Sequence, residues 1–371
     1  MSKIKILHLI KSLGRGGAET LLPETLKLHD KNKFEFHYIY FLPWKNQMVG
    51  DIEIEGGTVQ CFSSKNNFKM LQQYKKVIDY CRIHKINMLH CHLPWSGFLG
   101  RIIFSKINLP VVYTEHNIQE RYHILTKKLN KWSFNSQSVV LGVSADVTRS
   151  IIENINPDIA VKTLLNGVNT TKFTRNPIKG EKIKSQLGIP EKAIVLGNIA
   201  VFREQKGLLD WINAFKLIAN SNDHVYGILV GAGPLEREIK LMVSSLKLEN
   251  RLLLPGLQTD TVSYFSAMDI FMMSSAFEGL PIALLEAMSM NCAVVSTKAG
   301  GVVEVITDVV DGRLCNVHDV INLAKITTEL IENPVERERL QNAARERVIK
   351  EFSLETMVQK LEDVYLNYSQ G

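Results

Sequence analysis

Short runs of hydrophobic and β-branched residues alternate with longer amphipathic stretches along most of the chain. Strand-like runs include KIKILHLI, FEFHYIYFL, INMLHCH, PVVYTEH and SVVLGVS, and the helix-like stretches between them include AETLLPETLKLH and FKMLQQYKKVIDYCRIHK. This alternation predicts an α/β fold, with largely parallel sheets that carry helices on both faces.

The alternation pauses at NGVNTTKFTRNPIKGEKIKSQLGIPEK, a stretch rich in Asn, Gly, Pro and Lys that is interpreted as a linker. It restarts with AIVLGNIAVF and VYGILVGAG. We therefore predict two Rossmann-like doubly wound domains, residues 1–177 and 178–354, with a C-terminal helix at about 355–371 packing back on the first. Ligands bind beyond the carboxyl ends of parallel strands, so the two domains are expected to face a central cleft.

Composition narrows the class of protein. The chain has 371 residues, of which 45% are hydrophobic, but no apolar run reaches the ~20 residues needed to cross a bilayer. The five cysteines are scattered without a C-x-x-C pair, which indicates reduced thiols and a cytoplasmic location. Residues 1–180 hold 25 Lys and Arg against 13 Asp and Glu, whereas residues 181–371 hold 19 against 25. A basic first half favours a phosphate-rich partner or an anionic membrane surface, although solubility alone also accounts for it.

Three glycine-containing segments follow predicted strands. In GRGGAE, Gly16 and Gly17 open a helix whose free N–H groups suit an anion. In FREQKG, Arg203 and Lys206 supply two cations that suit a diphosphate. Gly231 lies in a third such turn, VGAGPLE. Each segment alone is also typical of an ordinary loop.

The segment FEGLPIALLEAM places two glutamates, Glu278 and Glu286, with seven residues between them. Glu278 is predicted in a loop, with Gly279 allowing a sharp turn and Pro281 in the first helical turn. The N–H groups near Leu280 and Ile282 would then be available to a phosphate or a sugar hydroxyl. Glu286 falls within the apolar helix, where an ionised carboxylate needs donors such as sugar hydroxyls, or else a backbone or arginine partner.

Polar residues also end two strands of the first half, in HCHLPWSG and YTEHN. His90, His92, Glu115 and His116 include metal-ligand types, but they lack helical H-x-x-x-H spacing. We therefore favour polar lining of the cleft over a metal site, with His116 as the best candidate to contact substrate.

Taken together, these segments resemble glycosyltransferase family 4, retaining enzymes of the GT-B fold that use nucleotide-diphospho-sugars. The resemblance covers most of the chain, in the order GRGGAE, YTEHN, LLNGVNTTKF, FREQKG, FEGLPIALLEAM and CAVVSTKAGGVVEVI. Val201 and Phe202 depart from the glycine that many relatives carry before the arginine. Phe202 is therefore expected to narrow the cleft or stack on the base, which leaves the donor open.

The resemblance implies a role for each site residue. Glu278 would reach the donor sugar and Glu286 the ribose, while the helix start between them would receive phosphate oxygens. Arg203 and Lys206 would stabilise the departing diphosphate without a metal. The family pattern also implies His116 as a catalytic residue, and Gly16, Gly17, Gly231, Gly279, Leu280, Pro281 and Ile282 as donor-binding positions.

The leading hypothesis is thus a hexosyltransferase with no cofactor and no metal. It would use a nucleotide-sugar, UDP-linked more readily than GDP-linked, and a glycan or lipid-diphosphate-linked acceptor in surface polysaccharide or lipopolysaccharide assembly. A nucleotide-sugar epimerase or hydrolase of the same fold, or a non-catalytic glycan-assembly subunit, remains an alternative. A nucleic-acid partner is not expected, because the basic residues are not interleaved with aromatics.

The segment HILTKKLNKWSFN predicts a basic helix that could lie at the inner face of the plasma membrane. Leu125, Leu129 and Trp132 have i, i+4, i+7 spacing, and the nearby lysines are expected on the other side. An ordinary domain helix, with its apolar side in the core, is the competing interpretation.

Overall fold

The computed structural model describes residues 3–369 and divides them between two α/β units. Unit 1 comprises Met1–Asn166 and Leu354–Gly371, and unit 2 comprises Gly167–Ser353. The outermost residues of the predicted first domain and C-terminal helix, 1–2 and 370–371, lie outside the described part.

Unit 1 is built on a seven-stranded parallel sheet with the order β3-β2-β1-β4-β5-β6-β7. The strands are β1 (Ile4–Leu9), β2 (Phe34–Tyr40), β3 (Thr58–Cys61), β4 (Met88–His92), β5 (Val111–Glu115), β6 (Val139–Gly142) and β7 (Ala160–Thr163). The central strands β1, β4, β5 and β6 are almost continuously buried. Such runs are expected of a parallel sheet covered on both faces.

Helices cover both faces of this sheet. They are α1 (Gly17–Leu28), α2 (Val49–Ile54), α3 (Asn67–Gln72), α4 (Tyr74–His84), α5 (Pro94–Ile107), α6 (Ile124–Ser133), α7 (Ala145–Ile155) and α16 (Leu354–Tyr368). One core cluster joins the sheet to α4, α5 and α7, and a second joins it to α1, α2 and α16.

Unit 2 repeats the design with a six-stranded parallel sheet of order β10-β9-β8-β11-β12-β13. Its strands are β8 (Ile194–Ile199), β9 (Val225–Val230), β10 (Leu252–Gly256), β11 (Ile270–Met273), β12 (Ala293–Thr297) and β13 (Arg313–Cys315). Its helices are α8 (Pro177–Gln186), α9 (Leu208–Ser221), α10 (Glu236–Ser245), α11 (Thr261–Ala267), α12 (Ile282–Ser289), α13 (Val302–Val305), α14 (Val320–Glu332) and α15 (Pro334–Glu351). The prediction of two Rossmann-like doubly wound units is confirmed.

The predicted boundary and linker differ from the structure. The chain enters unit 2 at Gly167 rather than after 177, because Val168 N–H donates to the Phe352 carbonyl and Phe173 packs edge-on to Phe265. The predicted linker also contains α8, where Gly180 lies directly against the backbone of Ser266. Polar composition suggested a linker there, but tight packing against α11 makes the segment part of unit 2.

The final helix, α16, belongs to unit 1. The carboxylate of Glu362 on α16 accepts from His29 and from the Asp30 N–H, at 2.9 and 2.8 Å. Its apolar side contributes Leu361, Val364 and Tyr365 to the core shared with α1 and α2.

Among the helices of residues 3–369, none combines the length and apolarity that a membrane span requires. All five cysteines are free thiols, and all except Cys61 are buried. Burial raises the pKa of the Cys81 and Cys292 thiols to about 12, which keeps them protonated at neutral pH.

Candidate functional site

The order of strands in unit 2 reverses between β8 and β11. Strands β9 and β10 continue on one side of this pair, and β12 and β13 continue on the other. Loops that leave two such strands diverge, so a crevice opens at their carboxyl ends. The segment with Arg203 and Lys206 follows β8, and the segment with Glu278 follows β11.

An ion pair joins these two loops. Lys206 Nζ lies 2.7 Å from Glu278 Oε1 and 2.9 Å from Oε2, so both carboxylate oxygens face one ammonium. Ser275 Oγ donates to the same carboxylate at 2.6 Å. Glu278 is nearly buried, with 6% of its side chain exposed, whereas Lys206 is 24% exposed and Arg203 is exposed. The structure thus brings two predicted residues, Lys206 and Glu278, into direct contact and leaves the third, the second cation Arg203, exposed on the loop that carries Lys206.

Two glycines allow the strand-end loops to approach each other. Gly207 has φ of 58°, and a Cβ there would lie 2.1 Å from the Ser274 carbonyl oxygen. Gly231 has φ of 144°, and a Cβ there would lie 1.9 Å from the Ala200 carbonyl oxygen. Any side chain would push these loops apart and misplace Arg203 and Lys206.

Phe202 does not have the predicted role. Its side chain is 2% exposed and belongs to the hydrophobic core of unit 2. Its backbone N–H donates to the Ala232 carbonyl, and its carbonyl accepts from Leu235 N–H. Phe202 therefore anchors the loop that carries Gly231 and is not placed to stack on a base.

The second glutamate lies on α12 as predicted, but the helix begins later than expected. Pro281 is the N-cap residue, with φ of −76° and ψ of 111°, and Ile282 is the first helical residue. Leu280 and Pro281 are buried, whereas Gly279, Ile282 and Glu286 are partly exposed. Ile282 and Glu286 are four residues apart and so share one side of the helix. The carboxylate of Glu286, which would be costly to bury in an apolar helix, therefore lies on the least buried side of α12.

The strand order of unit 1 reverses between β1 and β4. Gly16 is the N-cap residue of α1, which follows β1, and Gly17 is the first helical residue. The carboxylate of Glu19 folds back over this helix start, and Ser12 Oγ donates to it at 3.0 Å. The chain's own carboxylate therefore lies where an anion was predicted.

Four histidines line a small cavity in unit 1, with a volume of about 30 Å³. His8 Nδ1 lies 2.9 Å from His92 Nε2. His90 uses both ring nitrogens, one 2.6 Å from the Tyr365 hydroxyl and the other 2.7 Å from Thr114 Oγ1. His116 also lines the cavity, which is large enough for a water molecule.

Burial keeps these imidazoles neutral. It lowers the pKa of His8 to about 3 and that of His116 to about 4, and it lowers the pKa values of His90 and His92 well below their usual range. His8, His90 and His92 are close enough together to hold a metal ion. However, each neutral imidazole carries one N–H, and in the His8–His92 hydrogen bond one ring donates and the other accepts. Of the remaining nitrogens, His8 Nε2 and His92 Nδ1, one is therefore an N–H donor and only the other has a lone pair for a metal. With both His90 nitrogens also engaged, the arrangement favours water or hydroxyl groups over a metal.

Glu115, which the sequence grouped with these histidines, has a structural role instead. Its buried carboxylate accepts from the Tyr113 hydroxyl at 2.8 Å, from Gln119 Nε2 at 3.0 Å and from the His116 N–H at 2.9 Å. These bonds fix the backbone that carries His116.

Sequence reasoning missed four residues that shape these sites. Ser275 contacts Glu278, and His8, Thr114 and Tyr365 contact the other cavity histidines. The position of His8 near the end of β1 is the same signal that selected His90 and His92. Tyr365 had no such signal, because it lies 275 residues from its partner.

Family models match both units. The model "Glycosyltransferase Family 4" matches residues 15–172, and the model "Glycosyl transferases group 1" matches residues 179–347. Together they cover most of the chain.

Curated relatives and a solved structure agree with these matches. N-acetyl-alpha-D-glucosaminyl L-malate synthase of Bacillus anthracis is 28% identical over 297 residues, which are 78% of this chain and 77% of the relative. The UDP-Gal:alpha-D-GlcNAc-diphosphoundecaprenol alpha-1,3-galactosyltransferase of Escherichia coli is 26% identical over 322 residues, 81% of each chain. Anabaena HepE, solved with UDP-glucose, has a TM-score of 0.88 and 23% identity, covering 98% of this chain and 100% of its own. The GT-B fold predicted from the sequence is thereby confirmed, and the chain belongs to glycosyltransferase family 4.

Proposed function

We propose that this glycosyltransferase is a retaining hexosyltransferase. It moves a hexose-type sugar from a UDP-sugar to a glycan or lipid-diphosphate-linked acceptor in surface polysaccharide or lipopolysaccharide biosynthesis. The observation that carries the proposal is the Lys206–Glu278 ion pair beside Arg203 at the strand-order reversal of unit 2. The name of the Escherichia coli relative, with its UDP-galactose donor and diphosphoundecaprenol acceptor, supports both substrate classes.

In this reaction the protein must above all stabilise the negative charge of the departing nucleoside diphosphate. Negative charge grows on the diphosphate as the bond to the sugar breaks, so fixed cations stabilise the transition state more than the ground state. Arg203 and Lys206 supply these cations. The first turn of α12 adds the backbone N–H groups of Ile282 and Ala283 for phosphate oxygens, and Leu280 and Pro281 form the turn that leads into it.

The two glutamates bind the neutral parts of the donor. Glu278 is held in place by Lys206 and Ser275, and its remaining acceptor capacity suits hydroxyls of the donor sugar. Glu286, on the partly exposed side of α12, accepts from the ribose hydroxyls. Gly231 allows close approach of the loops after β8 and β9, and Gly279 is the proposed donor-binding position next to Glu278.

His116 is the proposed contact with substrate from unit 1. Its buried Nε2 has no hydrogen-bond partner in the described residues, and burial lowers its pKa to about 4. A neutral imidazole offers one donor or acceptor to a sugar hydroxyl.

We further propose that the reaction needs no metal or other cofactor, since the two cations carry the charge that a divalent ion would otherwise neutralise. The protein would work in the cytoplasm, at the inner face of the plasma membrane, where a lipid-linked acceptor is available.

The test combines donor binding with product analysis. Among UDP-, GDP- and ADP-sugars, a UDP-sugar should bind most tightly and so raise the melting temperature most. The shift should be easy to measure, because a ligand at 100 times its Kd adds about 2.7 kcal/mol of stability. With acceptor, the product should keep the anomeric configuration of the donor, as read from its proton coupling constants. Free sugar or an epimerised donor as the main product, with acceptor present, would favour a hydrolase or an epimerase. Binding without turnover would favour a non-catalytic subunit.

A further inference from the structure

The outward side of α6 exposes large apolar side chains. Trp132 is 85% exposed, Ile124 is 67% exposed and Leu125 is 59% exposed. Lys128 and Lys131 are exposed on the same helix. Ile124, Lys128 and Trp132 follow i, i+4, i+8 spacing, so apolar and basic side chains share one side of α6 rather than opposite sides. We call these five residues the α6 face.

The inward side of α6 is polar. Asn130 is fully buried, where Arg101 Nη1 donates to its side-chain oxygen at 3.0 Å. Asn130 Nδ2 in turn donates to Gln119 Oε1 at 2.9 Å. Rotating the helix to bury Trp132 would break both bonds and leave the buried Arg101 guanidinium short of an acceptor, which is costly. The exposure of the α6 face is therefore fixed by the core beneath it.

The part of the chain that leads to and includes α6 is basic. Residues 61–134 contain twelve lysines and arginines against three carboxylates. Glu115 among the carboxylates and Arg101 among the cations are fully buried, which leaves eleven cations against two carboxylates. On α3, which packs against α5 as α6 does, Phe68 is 69% exposed beside the exposed Lys69. Like charge disfavours a second copy of this surface as the partner, whereas an anionic partner complements it.

We propose that the α6 face binds the surface of an anionic phospholipid bilayer. Trp132, Ile124 and Leu125 insert at headgroup level, and Lys128 and Lys131 lie near the lipid phosphates. Tryptophan is enriched at such interfaces, because its ring is apolar and its N–H is polar. Lysine stems bury apolar surface while their ammonium groups stay hydrated. The proposal names the membrane partner of the proposed function and rests on that function for its purpose, but the binding itself needs no sugar.

Sedimentation of the full chain with vesicles tests the proposal. The protein should bind vesicles of phosphatidylglycerol and phosphatidylcholine, and bind little to phosphatidylcholine alone. Raising NaCl from about 0.1 M to about 1 M shortens the Debye length from about 10 Å to about 3 Å and should release most of the protein. Lys128→Gln combined with Lys131→Gln should weaken binding at least ~10-fold, since each lysine near an anionic surface contributes about fivefold. Trp132→Ser should also weaken it.

Matched controls lie on unit 2. Lys182→Gln combined with Lys192→Gln removes the same charge from exposed positions, and Ile321→Ser removes an apolar side chain that is 76% exposed. Both control variants should bind vesicles as the wild type does. Equal and salt-insensitive binding to both vesicle types, no binding to either, or equal losses in the controls would overturn the proposal. A dimer in solution that Trp132→Ser abolishes, without vesicle binding, would identify a second copy as the occupant.

UDP affinity, measured on the same preparations, separates this proposal from the proposed function. All surface variants should bind UDP as the wild type does. If the wild-type protein binds UDP and turns over donor but does not bind vesicles, only the proposed membrane surface is wrong. If it binds vesicles but does not bind UDP, only the proposed function is wrong.

Discussion

The ammonium of Lys206 faces both carboxylate oxygens of Glu278, although the two residues follow different strands and lie 72 positions apart in the chain. The pair lies where the strand order of unit 2 reverses, which is where open α/β sheets bind their ligands. Each partner thereby fixes the rotamer of the other. The carboxylate proposed to bind the donor sugar is thus paired directly with a cation proposed to bind the diphosphate.

Glu278→Gln should separate sugar handling from nucleotide binding. The amide keeps the size of the side chain but loses the charge that orients Lys206, so kcat should fall by at least ~10-fold. Affinity for UDP should be unchanged or higher, because a negative charge near the diphosphate is removed. Initial rates and titration calorimetry with UDP would check this. A loss of UDP affinity with unchanged kcat would contradict the assigned role.

Replacing Arg203 or Lys206 should slow catalysis in the same way, but only the loss of Lys206 should destabilise the fold. Arg203→Ala and Lys206→Ala should each lower kcat more than they raise KM, because the charge they oppose grows toward the transition state. Lys206→Ala should also lower the free energy of unfolding by about 1–3 kcal/mol, since Glu278 is left nearly buried without its cation. Arg203 is exposed, so its loss should leave stability almost unchanged.

Steady-state kinetics and urea denaturation would measure both effects, with the exposed Lys192→Ala as the control. Wild-type activity should survive EDTA. If EDTA abolishes activity and Mg²⁺ or Mn²⁺ restores it, the proposal that the cations act without a metal is wrong.

Glu286→Ala should weaken nucleotide binding with little effect on folding. A hydrogen bond to a charged group is worth about 1.5–3 kcal/mol, which corresponds to a roughly 10- to 150-fold increase in the Kd of UDP. Glu286 lies on the partly exposed side of α12, so its removal leaves no large cavity. Calorimetry with UDP and with uracil base would localise the loss to the sugar-phosphate part. Glu338→Ala, an exposed change on α15, is the control. Normal UDP binding together with a much lower melting temperature would show a structural role.

The sequence was enough to predict elements that depend on local pattern. It was not enough to predict side-chain contacts between residues that are distant in the chain. Alternating apolar runs were enough to predict the parallel sheets, and the spacing of Glu278 and Glu286 was enough to predict a loop glutamate followed by a helical one. For α6, the apolar spacing did not reveal that the buried side of the helix carries Asn130. Asn130 is buried because it accepts a hydrogen bond from Arg101 on α5, a contact that the spacing within α6 does not show. The contact between His90 and Tyr365 could not be predicted, because the expected packing of the C-terminal helix on the first domain does not fix which of its side chains faces β4.

The histidine cavity predicts that unit 1 loses stability in mild acid. His8, His90 and His92 are buried and His116 is half-buried, and the pKa values of all four are lowered from 6.5, so the folded unit binds protons at these side chains less readily than the unfolded chain does. Their stabilising effect is complete above pH ~6.5 and is lost as the pH falls from 6.5 toward the folded values, which are about 3 for His8 and about 4 for His116. Within that window each histidine should cost about 1.4 kcal/mol per pH unit.

Hydrogen-exchange protection of peptides from β1 and β4, corrected for the intrinsic exchange rate at each pH, would measure this loss within unit 1. Protection should fall steeply between pH 6.5 and 4 in the wild type. Replacing His8 and His92 together by glutamine should lower protection at pH 7, because the cavity is disturbed, but should flatten the dependence on pH, because two titrating groups are gone. Replacing the exposed His224 by glutamine should leave the slope unchanged. A double variant with the wild-type slope would show that groups other than these histidines set the acid sensitivity of unit 1.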